Sequence, residues 1–202
     1  MDPQPVQPEH DSGGWGLYIW DTLKVVITSL AIILPIRYYL VQPFFVNGAS
    51  MEPNFHDKDY IMVDKLSYRF EAPQRGDVIV FQYPLDTKEY FIKRIIGLPG
   101  EVVQIKANTV TIFNKEYPEG LKLDEDMYLP SYQETRDDVR LRLSDTEYFV
   151  MGDNRLHSSD SRRWGPVNQS LISGRALVRL WPFTQVVKFS HIDYFAPKPA
   201  TP

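Results

Sequence analysis

Ser50 lies in a run of small residues that could bring its hydroxyl against a substrate. Residues 47–53 read NGASMEP, so a glycine and an alanine come just before the serine. Small residues let the main chain approach a bound molecule closely, and glycine adopts turn conformations that other residues avoid. The run is compatible with a serine nucleophile. It is equally compatible with an ordinary turn, in which serine is a common residue.

Lys93 is the residue that could activate this hydroxyl. Lys93 and Arg94 interrupt an apolar run at residues 91–96, and strand alternation gives each of them apolar neighbours. Burial lowers the pKa of a lysine, whereas arginine stays protonated and needs a paired anion. A buried Lys93 could therefore accept a hydroxyl proton near neutral pH. The alternative is a lysine on an edge strand whose amine reaches solvent.

A third segment, residues 151–162, concentrates hydroxyl groups and fixed charges. It reads MGDNRLHSSDSR, which is polar and typical of turns. Such a loop could orient a catalytic base and hold a site together through an aspartate–arginine pair. A solvated surface loop is the competing interpretation.

Histidine, cysteine and metal chemistry have little support in the sequence. The four histidines, His10, His56, His157 and His191, lie near a terminus or in polar, turn-like stretches. There is no cysteine, which excludes disulfides, thiolate metal ligands and a cysteine nucleophile. No metal-ligand spacing and no glycine-rich phosphate loop occurs. We therefore expect neither a metal nor another cofactor.

The elements that must position these residues are mainly β-strands. Residues 78–81 are apolar in succession, which is typical of a strand buried on both faces. Residues 116–145 are charged and interrupted by proline, and they predict a surface excursion or a small subdomain. Short runs bounded by turn residues predict strands over residues 60–63, 77–83, 90–96, 102–105, 109–113, 148–151 and 177–180.

Residues 17–41 predict a transmembrane anchor. Their charge-free centre is short, but a helix from residue 18 to 41 would extend about 36 Å, enough to cross the hydrocarbon. Lys24 and Arg37 can reach the headgroups, and aromatic residues lie at both ends, with tryptophan and tyrosine at the first and tyrosines at the second. A buried core helix and a cleavable signal peptide are the alternatives, and the second lacks its basic N-terminal region.

Composition limits the remaining classes of function. The 202 residues include 22 Lys and Arg against 26 Asp and Glu, a net charge of −4. Proteins that bind nucleic acid carry a basic excess or a basic stripe, so we expect no nucleic-acid partner. Residues 1–16 and 196–202 are rich in proline or polar residues and predict disordered tails.

Four segments together resemble the type I signal peptidases, which are membrane-anchored proteases that use a serine and a lysine. The segments follow the family's order along the chain, behind one apolar segment. This single predicted span is similar to Gram-positive, cyanobacterial and organellar members. The resemblance implies a signal-peptidase-like β catalytic domain over residues 42–195. The matching segments are residues 50–53 (SMEP), 76–81 (GDVIVF), 93–100 (KRIIGLPG) and 152–162 (GDNRLHSSDSR).

The resemblance also implies roles for individual residues. Ser50 would attack the scissile carbonyl, and uncharged Lys93 would take its proton and return it to the leaving amine. Ser158 would hydrogen-bond the lysine amine. The Ser50 main-chain N–H would bind the oxyanion, with a backbone group or water at Gly48, where some relatives carry a serine hydroxyl. The supporting residues would be Asp160 paired with Arg162, together with Asp153 and Arg94.

The substrate implied by the resemblance is an extended peptide paired to a strand edge. Shallow apolar pockets would accept small side chains such as alanine at the first and third residues before the cut. The implied partners are preprotein signal peptides and the lipid bilayer, and the secretion machinery is compatible as a further partner. The implied location is the plasma or thylakoid membrane, with the catalytic domain on the extracytoplasmic side. The pockets would be lined by Phe44, Val46, Met51, Ile61, Phe91 and Ile92.

Two other functions stay open on the sequence alone. The self-cleaving repressors also use a serine and a lysine in a related β-fold, but they predict a DNA-binding domain in front. A non-catalytic anchored β-domain that binds exported chains would tolerate the loss of Ser50 or Lys93.

Overall fold

A computed structural model describes residues 14–35, 40–182, 186–189 and 194. The chain divides into two compact units, with the boundary between Leu40 and Val41. The tail predicted at residues 196–202 and most of that predicted at 1–16 lie outside the described residues, as do Arg37 and the tyrosines beside it. Residues 14–16, which the sequence assigns to the first tail, are helical.

The described part of the first unit forms a helix, α1, at Gly14–Pro35. Its residues Tyr18–Pro35 have a mean hydropathy of 1.5 and none of them is buried. A helix that is apolar and unburied in this way is long enough and hydrophobic enough to cross a membrane. The only ionised side chains in the described helix are Asp21 and Lys24, which form an ion pair at 3.2 Å. The burial expected of a core helix is not observed.

The second unit is mainly β, as the sequence predicts, and all seven predicted strands are present. The strands form where apolar residues alternate with polar ones or follow one another without interruption. Such residues pack well on a pleated, half-buried surface. A single helical turn, α2, lies at Ser161–Trp164. The strands are β1 Val41–Phe45, β2 Tyr60–Asp64, β3 Val78–Tyr83, β4 Asp86–Gly97, β5 Val102–Lys106, β6 Thr109–Phe113, β7 Leu121–Lys122, β8 Val139–Arg142, β9 Glu147–Met151, β10 Val167–Asn168, β11 Ile172–Trp181 and β12 Val187–Lys188.

These strands form two antiparallel sheets. The larger sheet has the order β1-β2-β11-β3-β4-β9-β10, with β12 added to β11. The smaller sheet has the order β7-β6-β5-β8. Strands β7 and β8 come from residues 116–145, so this segment does more than cover the surface: it completes both edges of the smaller sheet.

Strand β3 shows how the cores are divided. Val78 and Val80 pack into one apolar cluster with Met51 and Phe55. The alternate residues of β3, Ile79 and Phe81, pack into a second cluster on the other face of the sheet. A third cluster joins the smaller sheet to β9. The central strands are thus held on both faces, which fixes the main chain that carries Lys93.

Candidate active site

The turn that carries Ser50 follows β1 directly. Val46 anchors its start, because its N–H donates to the main-chain O of Asp59 at 2.9 Å. Asn154 holds the other end: its N–H donates to the Ser50 main-chain O, and its side-chain amide donates to the Ala49 main-chain O, both at 3.0 Å. The sequence places Asn154 in the third polar segment without indicating this contact. The turn is therefore fixed from behind, which leaves the Ser50 side chain facing the cleft described below.

Lys93 lies on β4 with only 4% of its surface exposed. Its Nζ is 2.8 Å from Ser50 Oγ and donates to the main-chain O of Ile92 at 2.9 Å. Burial lowers the pKa of Lys93 from 10.5 to about 8, although the charges of Asp160 and Asp153 oppose the change. A neutral amine in this position has a lone pair that can accept the Ser50 hydroxyl proton.

The neighbouring cation, Arg94, is equally buried but is paired. Its Nε and Nη2 donate to the two carboxylate oxygens of Asp153 at 2.8 and 2.7 Å. Burial alone would lower the pKa of Arg94, but the Asp153 charge outweighs it and raises this pKa above its ordinary value. Asn54 also donates to Asp153, at 2.8 Å. The two adjacent basic residues thus differ: Arg94 is paired with an anion, and Lys93 can lose its proton.

A second buried pair lies beside the first. Arg162 Nε and Nη2 donate to the two oxygens of Asp160, each at 2.8 Å, and the Gly152 N–H donates to the same carboxylate. Burial raises the pKa of Asp160, but the hydrogen bonds and charge of Arg162 outweigh it and hold this pKa below the ordinary value. Asp160 also caps α2 by accepting from the N–H of Arg162.

Ser158 does not make the contact expected of it. Its hydroxyl is buried but forms no hydrogen bond of ordinary geometry with any described residue. The partners of the Lys93 amine are Ser50 and Ile92 instead. Ser158 is nevertheless near enough to Asp160 to help lower the pKa of that carboxyl. The small residue Gly152 separates Ser158 from Ser50, because a methyl group there would overlap both.

The two expected oxyanion donors differ in availability. The Ser50 N–H makes no hydrogen bond with any described residue, so it is free to bind an oxyanion. The Gly48 N–H is already used, because it donates to Oδ1 of Asp57 at 2.8 Å. Gly48 has a φ of +94°, a conformation that favours glycine. The Gly48 N–H is therefore not a second oxyanion donor here: it fixes the entry to the serine turn.

An open cleft of about 450 Å³ leads to Ser50 and Lys93. Five of the six expected pocket residues line it: Phe44, Val46, Ile61, Phe91 and Ile92. Met51 is the exception and corrects the sequence prediction. The turn points its side chain into the core, where it is fully buried with Phe55 and Val63. The lining residues not expected from the sequence are Phe45, Asn47, Val80, Glu89, Tyr90 and Ser159.

Two unpaired strand edges border this cleft. Strand β1 ends the larger sheet and pairs only with β2 among the described strands. Strand β4 pairs with β9 only from Arg94 onward, so its residues 89–93 have a free edge on that side. The rings of Phe44 on β1 and Tyr90 on β4 lie 5.4 Å apart across the cleft. An extended peptide could therefore add main-chain hydrogen bonds to these edges.

Arg155 is a structural residue that sequence reasoning did not single out. It is almost completely buried, and its guanidinium donates to Glu125, to Thr135 Oγ1 at 2.7 Å and to the main-chain O of Gly152 at 3.1 Å. Glu125 and Thr135 belong to the 116–145 segment. No local pattern signals this contact, because it joins residues far apart in sequence.

Comparison with known proteins identifies the family of this chain. The profile of the family described as signal peptidase, peptidase S26, matches residues 19–181. Signal peptidase I of Leptolyngbya laminosa is 35% identical over 193 residues, which cover 91% of this chain and 88% of that protein. Probable signal peptidase I-1 of Synechocystis sp. is 36% identical over 82% of this chain and 84% of its own length. A solved signal peptidase I from Enterococcus faecalis V583 is 32% identical over 52% of this chain and 97% of that structure, with a TM-score of 0.43. With so much of its length matched, the chain belongs to the signal peptidase I family and is a signal peptidase hydrolase.

Proposed function

We propose that this signal peptidase cuts preproteins with Ser50 as the nucleophile and Lys93 as the general base. The observation that carries this proposal is the 2.8 Å distance between Lys93 Nζ and Ser50 Oγ, with the amine buried. Hydrogen-bond distance between a nucleophile and its base is the geometric requirement for activation. The lowered pKa of Lys93, about 8, supplies a fraction of neutral amine at physiological pH.

The reaction follows from these positions. Ser50 Oγ bonds to the scissile carbonyl carbon while its proton passes to Lys93, and the free Ser50 N–H stabilises the resulting oxyanion. The intermediate collapses, the peptide C–N bond breaks, and Lys93 returns the proton to the leaving amine. Water then attacks the acyl ester on Ser50, again with Lys93 as the base, and releases the signal peptide with a free carboxyl end.

The paired residues around the dyad position it. Asp153 with Arg94 and Asp160 with Arg162 fix the loop that carries Asn154, which in turn holds the Ser50 turn. These residues do not touch the reacting atoms, so we assign them positioning roles.

Specificity for small residues before the cut is supported by the lining of the cleft. Phe44, Ile61, Phe91 and Ile92 form an apolar surface close to Ser50. Apolar walls of this kind favour small apolar side chains such as alanine at the first and third residues before the cut. A peptide with Ala-x-Ala at its junction should therefore be cut, and one with leucine at the third residue should be cut more slowly.

Anchoring by α1 to the plasma or thylakoid membrane, with the catalytic unit on the extracytoplasmic side, completes the proposal. Its support is the unburied apolar helix and the membrane-bound nature of the substrate. A signal peptide is itself held in the bilayer, so a tethered enzyme meets it at a high effective concentration. Resistance of the full chain to alkaline extraction from membranes tests the anchor, and protease accessibility from either side tests the orientation.

The dyad is tested by single substitutions assayed on a preprotein. Ser50→Ala and Lys93→Met should each lower cleavage by at least about 10³-fold, since neither leaves a nucleophile with its base. Lys93→Arg should be as inactive, because arginine keeps its proton. Ser131→Ala and Lys88→Met, which remove the same groups from exposed sites, are the matched controls. Cleavage at the control rate by Ser50→Ala or Lys93→Met would refute the dyad, and absence of cleavage by the wild type would favour a non-catalytic binding domain.

A further inference from the structure

The cleft carries one carboxylate that the reaction does not use. Glu89 lines the cleft at its outer end, on the free-edged part of β4. Its side chain is exposed and has neither a hydrogen bond nor an ion pair with any residue in the described parts of the chain. The other ionised group of the cleft is the lysine of the dyad, and the remaining lining is apolar or uncharged. Glu89 is thus a fixed negative charge with no partner inside the protein.

Strand geometry relates Glu89 to the scissile bond. Phe91 and Lys93 lie in the part of β4 that pairs regularly with β3, and they share one face, on which the Lys93 Nζ lies 5.4 Å from the centre of the Phe91 ring. Glu89 lies at the bulge that directly precedes this regular part. Four residues of extended chain span about 13 Å, so Glu89 lies at most about 13 Å along the strand from Lys93. An extended substrate beside β4 has the same rise per residue as the strand. For a substrate that runs from Lys93 toward Glu89, with its first residue before the cut at Lys93, the third residue lies beside Phe91 and the side chain of the fifth comes within reach of Glu89.

We propose that Glu89 forms a subsite that selects a positively charged side chain at the fifth residue before the cut. This inference rests on the proposed function, because it uses the register in which the first and third residues occupy the apolar pockets. A lysine or arginine there can reach the Glu89 carboxylate while its methylene groups rest on the apolar wall. An acidic residue at the same position meets a like charge and is disfavoured.

The test uses the full chain in detergent and three peptides that share one Ala-x-Ala junction. They differ only in carrying lysine, glutamine or glutamate at the fifth residue before the cut. We expect kcat/KM to decrease in that order, by about two- to fivefold per step, the range for a partly exposed ion pair. The differences should shrink at high salt, where screening acts over a few ångströms.

Variants separate this subsite from general effects of charge. Glu89→Gln should bring the lysine-to-glutamine ratio to about one, and Glu89→Lys should invert the order. Glu71→Gln removes an exposed carboxylate away from the cleft and should keep the wild-type ratios. Each ratio is taken within one enzyme, so a partly unfolded variant does not distort it.

The outcomes distinguish the two proposals. Equal cleavage of the three peptides by the wild type, or an unchanged preference in Glu89→Gln, would overturn the Glu89 subsite and leave the dyad standing. If the wild type cut none of the peptides, the proposed function would fail and the subsite with it.

Discussion

Replacing the buried lysine should make the fold more stable while it destroys activity. Lys93→Met keeps most of the length of the side chain and removes its charge. In the unfolded chain the lysine has its ordinary pKa of 10.5, and burial lowers this pKa to about 8 in the folded protein. Because the pKa of Lys93 is lower in the folded protein, the unfolded chain binds more protons between pH 8 and pH 10.5. The lysine therefore destabilises the fold, in full below pH 8 and less as the pH rises toward 10.5.

The magnitude follows from the two pKa values. At pH 7 the difference costs about 3 kcal/mol of folding free energy, and methionine removes this cost. The variant loses the hydrogen bonds to the Ile92 main-chain O and to Ser50 Oγ, each worth about 1 kcal/mol, so the net gain is about 1 kcal/mol. By pH 10 the cost has fallen to about 1 kcal/mol, so the two lost hydrogen bonds leave the variant slightly less stable than wild type. The gain should thus decline by about 2 to 3 kcal/mol between pH 7 and pH 10.

The assay is urea unfolding of the detergent-solubilised chain, followed by near-ultraviolet circular dichroism at both pH values. Lys88→Met, on the exposed part of the same strand, is the control and should show no pH-dependent gain. A Lys93→Met protein that is less stable than wild type at pH 7, or whose stability difference is the same at both pH values, would refute a desolvated amine.

Three further results are expected. The kcat/KM of the wild type should rise about tenfold per pH unit below pH 8 and level off above it, because the amine of Lys93 must be neutral; a rate that keeps rising through pH 10 would contradict this. Gly152→Ala should lower kcat and stability together, because its methyl group would overlap the Ser50 main-chain O, and unaltered turnover would argue against this packing. Asp153→Asn should destabilise the fold by about 3 to 5 kcal/mol in urea unfolding, since Arg94 keeps a buried charge without its anion, whereas exposed Asp138→Asn should not.

The buried ion pairs explain why the lysine can be neutral while so many charges surround it. Arg94 and Arg162 each take up one carboxylate in a two-oxygen contact. Their positive charges offset the attraction that Asp153 and Asp160 exert on a proton at Lys93. Burial is therefore the dominant influence on the amine.

The sequence by itself determined the class of fold and predicted the residues of a serine–lysine site. Alternation and apolar runs depend only on near neighbours, so the seven main strands were predictable, and so was the burial of β3 on both faces. The difference in chemistry between lysine and arginine indicated which of two adjacent cations could act as a base. The short strands β7 and β8 were not predictable, because they are stabilised by pairing with residues distant in the chain.

Only the tertiary structure decided the contacts that join distant segments. It brings Asn154 against the Ser50 turn, commits the Gly48 N–H to Asp57, turns Met51 into the core and leaves Ser158 without the lysine as a partner. Each of these contacts forms because the sheet order and the turn geometry bring residues from different segments close together in space. Local sequence patterns specify the type of each element, but the packing of all elements together fixes which side chains meet.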